Sequence, residues 1–248
     1  MKKFFTHKLV TPALAVLLVL IAVGATIGAV AWANASQPAL SSAGLYEQAM
    51  QDALTIETDE IHSVVTITPQ SDKATVNKEG EVLLITWHKY PDSYISGEDT
   101  TLSHGEVWCF TDKEIAEWYD SHKAGVTDWE LRFEQLLGLP EEKEYTHFTG
   151  MWVALDAVKR PAYSYDITQP VTEMQFDDSA DAAFVAWFNE NIIDSYFDGA
   201  YPWTRLGYTY DWSGAEYGLS EFVVEKDTVA RVTFTYTTDE FVNWLETQ

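Results

Sequence analysis

The sequence predicts an α+β fold, built mainly on antiparallel strands with several packed helices and preceded by one apolar N-terminal helix. Three observations support this prediction. Apolar and polar residues alternate in a series of short segments, as in strands. These segments cluster in pairs and lack the regular strand–helix alternation of a doubly wound sheet. The hydrophobic content of 46%, with 14% aromatic residues, supplies enough apolar surface for a core and excludes a disordered acidic chain.

The first element is the apolar helix. Residues 13–33 contain 21 residues without a charge, which would span about 32 Å as a helix, enough for a hydrocarbon core of about 30 Å. Lys2, Lys3 and Lys8 precede it, and the positive-inside rule places them in the cytoplasm. A signal peptide cleaved near Ala35 is the alternative. We therefore expect residues 1–35 to be a signal anchor or a signal peptide. The protein would be a single-pass cell-membrane protein with an extracytoplasmic C-terminal domain, or a secreted one.

The remaining elements follow from periodicity and turn residues. We expect residues 36–44 to form a linker and residues 45–248 to form one extracytoplasmic domain, because no low-complexity segment divides them. The predicted helices include residues 45–54 and 180–197. The predicted strands are residues 61–68, 82–90, 104–110, 146–155, 205–212, 219–225 and 230–236, and the last two could form a hairpin.

Three further helix starts share one pattern. Thr111-x-x-Glu114, Thr127-x-x-Glu130 and Thr237-x-x-Glu240 are predicted capping boxes, in which the Thr and Glu side chains bind amides of the first turn. The first and third boxes each follow an apolar strand and continue similarly to a tryptophan. Either strand-to-helix turns simply look alike, or the fold contains two related strand–helix units.

The charge excludes one class of partner. The whole chain has a net charge of −24, and the part beyond residue 35 has 12 basic and 39 acidic residues, a net charge of −27. Such a surface repels phosphate backbones, so nucleic-acid binding is not expected. The expected partners are the membrane, through the N-terminal helix, and an unidentified ligand or protein outside the cytoplasm.

Three segments of the sequence are similar to segments of other proteins. RFEQLLGLP (132–140), PWTRLGYTYDW (202–212) and GLSEFV (218–223) resemble blocks of a family of uncharacterised bacterial proteins. The likeness extends over about residues 82–236. It implies a bacterial origin and no activity, because none is known for that family.

Charged residues on apolar faces give the first candidate site. Alternation places Glu221 on one strand face with Leu219 and Val223, so its carboxyl group should be at least half buried. An unpaired buried charge costs several kcal/mol, and only four arginines lie beyond the apolar segment. We therefore expect Glu221 to contact Arg132 or Arg205, either as a structural ion pair or as part of a ligand site.

The strand at residues 205–212 gives the second candidate site. Leu206, Tyr208, Tyr210 and Trp212 share one face, and Asp211 lies on the other with Arg205. Aromatic rings beside carboxylates suit sugar rings, but the same face is also typical of a core. Solvent exposure of Tyr208 and Trp212 would distinguish the two interpretations.

Metal and nucleophile signatures are weak. His104 and Glu106 would share one strand face and could supply two zinc ligands, but no H-E-x-x-H motif is present. Cys109 is the only cysteine and would face away from them, so we interpret it as a core residue. No cofactor is predicted.

The leading functional hypothesis is a membrane-tethered or secreted module that binds an unknown ligand or partner. The alternatives are a hydrolase of cell-envelope or extracellular polymers and a structural envelope component. A deep pocket around Glu221 with a raised carboxyl pKa would favour the hydrolase, whereas a shallow exposed aromatic patch would favour the binding module.

Overall fold

A computed structural model of the protein describes residues 40–141, 144–195 and 201–248. The predicted signal anchor or signal peptide, residues 1–35, lies outside these ranges. Within the described ranges, no helix is long and apolar enough to cross a membrane. The helices and strands all belong to the unit Ser42–Gln248.

An antiparallel sheet organises the described residues, which confirms the predicted α+β class. It has seven strands in the order β2-β9-β4-β1-β3-β8-β5, and β6 and β7 form a separate pair. The strands are β1 (Glu81–His88), β2 (Asp99–Thr101), β3 (Val107–Thr111), β4 (His147–Ala154), β5 (Val158–Lys159), β6 (Tyr208–Asp211), β7 (Glu216–Ser220), β8 (Phe222–Val224) and β9 (Val229–Thr237). The α-helices are α1 (Ser42–Asp52), α2 (Asp112–His122), α3 (Trp129–Leu136), α4 (Ala182–Asp194) and α5 (Thr238–Leu245).

The two faces of the large sheet are covered differently. Alternation in β1 sends Leu84 to one face and Ile85 to the other, because successive side chains of a strand point to opposite sides. On the Ile85 face lie helices α2, α3 and α5, which contribute buried residues such as Phe133 and Phe241. On the Leu84 face the covering residues come from irregular segments, for example Ile67. Both strand-to-helix units, β3–α2 and β9–α5, therefore place their helices on the same face.

Three strand predictions are corrected. Residues 61–68 form no regular strand. Val64 and Ile67 are three residues apart and enter different clusters, and their amides donate to Pro170 O and Ile167 O. The strand expected at 219–225 is interrupted at Glu221, between β7 and β8. The hairpin with 230–236 does not form, because β8 pairs with β3 and β5 whereas β9 pairs with β2 and β4.

One of the three predicted capping boxes is present. Thr237 and Glu240 cap α5 reciprocally. At α2, Thr111 occupies the cap position without a side-chain bond, because the Glu114 carboxylate is held by Ser220 instead. Helix α3 is capped by Asp128 and not by Thr127. The predicted capping boxes of α2 and α3 are therefore wrong, although both helices form.

Candidate functional site

A cavity of about 570 Å³ opens where β1 and β3 stop pairing. The two strands share the pairs Leu84–Thr111 and Ile85–Phe110. Beyond that point Thr86, Trp87 and His88 of β1 line the cavity, together with Val107 and Trp108 of β3 and the preceding Glu106. Its volume lies within the range of about 300–1,000 Å³ that is usual for small-molecule sites.

The cavity walls are largely aromatic. Trp87 stacks on Phe148 with ring centroids 5.2 Å apart, which fixes its position over the sheet. Trp108 and Trp203 meet edge to face at 5.8 Å. Edge-to-face and offset contacts are the favourable geometries of aromatic pairs, so these rings form a preorganised wall. The aromatic wall residues include Trp87, Trp108, Tyr145, Tyr201 and Trp203.

Glu221 lines this cavity at the break between β7 and β8. Its backbone N–H donates to Gly207 O at 2.9 Å, outside the ladder that β8 forms with β3. The residue is half buried, and among the described residues its Oε2 has no hydrogen-bond partner. Burial raises the pKa of the Glu221 carboxyl group to about 8. The group is therefore mainly protonated at neutral pH when the cavity holds no ligand.

Two indole groups are also unpaired. Trp87 Nε1 and Trp203 Nε1 are buried and have no hydrogen-bond partner among the described residues. With Glu221 Oε2 they make up three of the six such side-chain atoms, and all three belong to residues lining the cavity. Since more than nine in ten buried polar groups of proteins are hydrogen-bonded, this concentration distinguishes the cavity from the rest of the described structure.

His88 adds a neutral ring to the same wall. Burial first, and His147 second, lower the pKa of the His88 imidazole to about 4. The Tyr90 N–H donates to His88 Nδ1 at 3.1 Å, so Nε2 carries the proton and donates to Thr149 Oγ1 at 2.7 Å. His88 is thus uncharged across the physiological range and presents no cation to the cavity.

The predicted contact of Glu221 with Arg132 or Arg205 is wrong. Arg132 binds Asp211 through two hydrogen bonds, Nη2–Oδ2 at 2.6 Å and Nη1–Oδ1 at 3.2 Å. Arg205 donates to Ala53 O at 2.5 Å. No ion pair within 4 Å joins Glu221 to another described residue.

The six residues predicted to form a ligand site therefore do not lie together. Of the six, Tyr208 and Glu221 line the cavity, whereas Arg132, Arg205, Asp211 and Trp212 do not. Trp212 is 2% exposed, and its indole donates to Glu134 O and Leu139 O. Tyr208 is 4% exposed, and its hydroxyl donates to Glu60 O. The aromatic face of the strand is core, and it offers no exposed platform for a sugar.

His104 and Glu106, the weak candidates for zinc ligands, have no third ligand beside them among the described residues. Within the described ranges, no group of three or more His, Cys, Asp or Glu residues is arranged to hold a metal ion. His104 and Glu106 are exposed, and Glu106 lies at the cavity. Cys109 is buried in the core, where burial raises the pKa of its thiol.

The sequence did not identify Trp87 or Trp203 as site residues, and it suggested His88 only as a possible third zinc ligand. Trp87 and His88 lie in a strongly apolar strand, where an aromatic ring is typical of a core. No local pattern shows that the strand leaves its neighbour after Ile85. Glu221 itself was the one available signal, because a glutamate on an apolar face requires either a partner or a function.

Comparison with known proteins adds no relative: no protein-family model, curated protein or solved structure matches the chain.

Proposed function

We propose that this protein is an extracytoplasmic binding module, membrane-tethered or secreted, that takes a small molecule into the cavity beside Glu221. The observation that carries the proposal is the unpartnered Oε2 of Glu221 in the wall of an aromatic cavity of about 570 Å³. A ligand that pairs with the Glu221 carboxyl group would compensate for the burial of that group.

The free-energy cost of unpaired buried atoms favours a ligand over a purely structural role. A buried polar atom without a partner costs about 1–3 kcal/mol, and residues lining this cavity contribute three such atoms. A structural component gains nothing from keeping them unpaired. Unsatisfied polar groups of this kind are typical of functional sites, which supports binding over the structural alternative.

The extracytoplasmic location rests on the sequence alone. The basic residues before the apolar segment and the charge of −27 beyond residue 35 both support an acidic domain outside the membrane.

Hydrolysis is the second candidate, and the cavity at Glu221 with its raised pKa favours it, since a protonated carboxyl group can act as a general acid. Glycosidases need a second carboxylate about 5–9.5 Å away. Asp194, at the cavity from α4, is a carboxylate that could fill this role.

The test of binding uses two substitutions on one helix. Asn191 lines the cavity, whereas its neighbour Asn189 is exposed and does not. Asn191→Phe should fill the cavity and abolish the thermal stabilisation that members of a small-molecule collection give to the full-length protein. Asn189→Phe should leave it intact. Equal stabilisation of both variants by every ligand would place binding elsewhere and refute the proposal.

The hydrolase alternative has its own test. Release of nitrophenol from chromogenic glycosides, or of fragments from cell-wall polymers, should be lost in both Glu221→Gln and Asp194→Asn if the protein is a hydrolase. The binding proposal expects no turnover in the wild-type protein.

A further inference from the structure

We propose that the cavity selects an organic ammonium ion, whose cationic nitrogen pairs with the Glu221 carboxylate while its body packs against the aromatic wall. This inference rests on the proposed binding function and specifies its ligand class. It is based on three properties of the cavity: the charge of its lining residues, its aromatic rings and the protonation state of Glu221.

The charges lining the cavity have one sign. Three carboxyl groups, those of Glu106, Asp194 and Glu221, line it, and no lysine or arginine is found among its described lining residues. His88 is neutral because burial depresses its pKa. An anionic ligand would meet no compensating charge, whereas a cation meets three acidic groups in a protein of net charge −24. The charge therefore favours a cation.

The rings favour an organic cation over a metal ion. Ammonium groups are attracted to the faces of Trp and Tyr rings, by about 2 kcal/mol or more when desolvated. Trp87, Trp108 and Trp203 contribute such rings to the wall. A hard metal ion would instead require several oxygen ligands together, and no such cluster occurs in the described part of the chain.

Pairing of the ammonium ion with Glu221 requires that the Glu221 carboxyl group lose its proton. Burial raises the pKa of the Glu221 carboxyl group to about 8, with no charged group contributing. The other titratable groups that line the cavity are His88 from β1, Glu106 beside β3, Asp194 from α4, and Tyr94, Tyr145, Tyr201, Tyr208 and Tyr210. Below pH 8 an arriving ammonium ion must displace the Glu221 proton, which passes to solvent. Affinity should therefore fall by up to about tenfold for each pH unit below 8.

The test uses probes that differ only in the terminal group. Tyramine carries an ammonium, tyrosol a hydroxyl and 4-hydroxyphenylacetate a carboxylate. Calorimetric titration of the full-length protein at pH 8.5 should show tyramine binding at least about tenfold more tightly than tyrosol, as expected for a charged hydrogen bond. Glu221→Gln should remove that preference and leave tyrosol binding unchanged. Glu173→Gln removes the same charge from an exposed residue that does not line this cavity and should keep the preference.

The outcomes separate this inference from the proposed function. If tyrosol or 4-hydroxyphenylacetate binds the wild-type protein as tightly as tyramine, and Asn191→Phe blocks that binding, the cavity is a ligand site but the ammonium inference is wrong. If tyramine binds with the same affinity at pH 6 and pH 8.5, its pairing with Glu221 is likewise refuted. If no probe binds at millimolar concentration, the ammonium inference is overturned, and the cavity-filling experiment alone decides whether the cavity binds other ligands.

Discussion

The carboxylate of Glu114 accepts hydrogen bonds from both the amide and the hydroxyl group of Ser220, at 3.0 and 2.9 Å. Ser220 Oγ also accepts from the Val65 N–H at 2.7 Å. Helix α2 and an irregular segment are thus joined to the residue immediately before Glu221. The anchored Ser220 holds the strand break in place, and Glu221 is left to line the cavity.

Replacing Ser220 should therefore destabilise the domain. Ser220→Ala removes two side-chain hydrogen bonds in the interior and leaves Glu114 and the Val65 amide short of partners, which should cost about 1–3 kcal/mol. Chemical denaturation measures the change. Ser213→Ala, at an exposed position, should change the free energy of unfolding by less than about 0.5 kcal/mol. Equal effects of the two substitutions would contradict the role given to Ser220.

The Arg132–Asp211 ion pair should contribute strongly to folding. The Asp211 side chain is 1% exposed and that of Arg132 13% exposed, so Asp211→Ala leaves a poorly solvated cation and should cost about 3–5 kcal/mol. The Arg231–Glu81 pair, with side chains 51% and 27% exposed, provides the control, because Arg231→Ala should cost less than about 1 kcal/mol. A loss below 1 kcal/mol for Asp211→Ala in denaturant titrations would show that the pair is dispensable.

These contacts show which parts of the structure the sequence could predict. Alternation along a strand is local, and the strands predicted at residues 82–90, 146–155 and 230–236 are present as β1, β4 and β9. The capping box at Thr237 is also local, and it forms. The box at Thr111 fails because Glu114 finds better donors in Ser220, which is 106 positions away.

The site depended on contacts that no local pattern encodes. The sequence predicted Glu221 as a partner of Arg132 or Arg205, whereas Arg132 binds Asp211. Trp87 had the pattern of a core residue, and its place at the cavity results from the separation of β1 and β3 after two residue pairs.

Glu221 should make stability depend on pH. Its folded-state pKa of about 8 lies above the ordinary 4.5, so the folded protein holds a proton that the unfolded chain releases, and stability falls as pH rises towards 8. Glu114, with a pKa of about 7, acts in the same direction but only up to pH 7. Between pH 7 and 8 the loss, on the order of 1 kcal/mol, should therefore come from Glu221. Denaturation at several pH values should show this loss in the wild-type protein and in Glu173→Gln, an exposed control, but not in Glu221→Gln.

His88 should have the opposite effect on stability, which it lowers as the solution becomes acidic. Its folded-state pKa of about 4 lies below the ordinary 6.5, so the unfolded chain takes up a proton that the folded protein excludes, and stability falls as pH decreases from 6.5 towards 4. Imidazole nitrogen NMR should show His88 neutral at pH 5.5, with its proton on Nε2. A His88 ring that titrates near pH 6.5, or that carries its proton on Nδ1, would contradict the hydrogen bonds to Thr149 and Tyr90.

The most direct test of the cavity as a ligand site is the indole N–H spectrum of the protein's ten tryptophans. Single Trp→Phe substitutions assign the resonances of Trp87, Trp203 and Trp212. Addition of tyramine at pH 8.5 should shift the Trp87 and Trp203 resonances, because both rings line the cavity. The Trp212 resonance should stay in place, because its N–H is already bound to Glu134 O and Leu139 O. Saturable binding that leaves Trp87 and Trp203 unchanged would show that the ligand does not occupy the cavity beside Glu221.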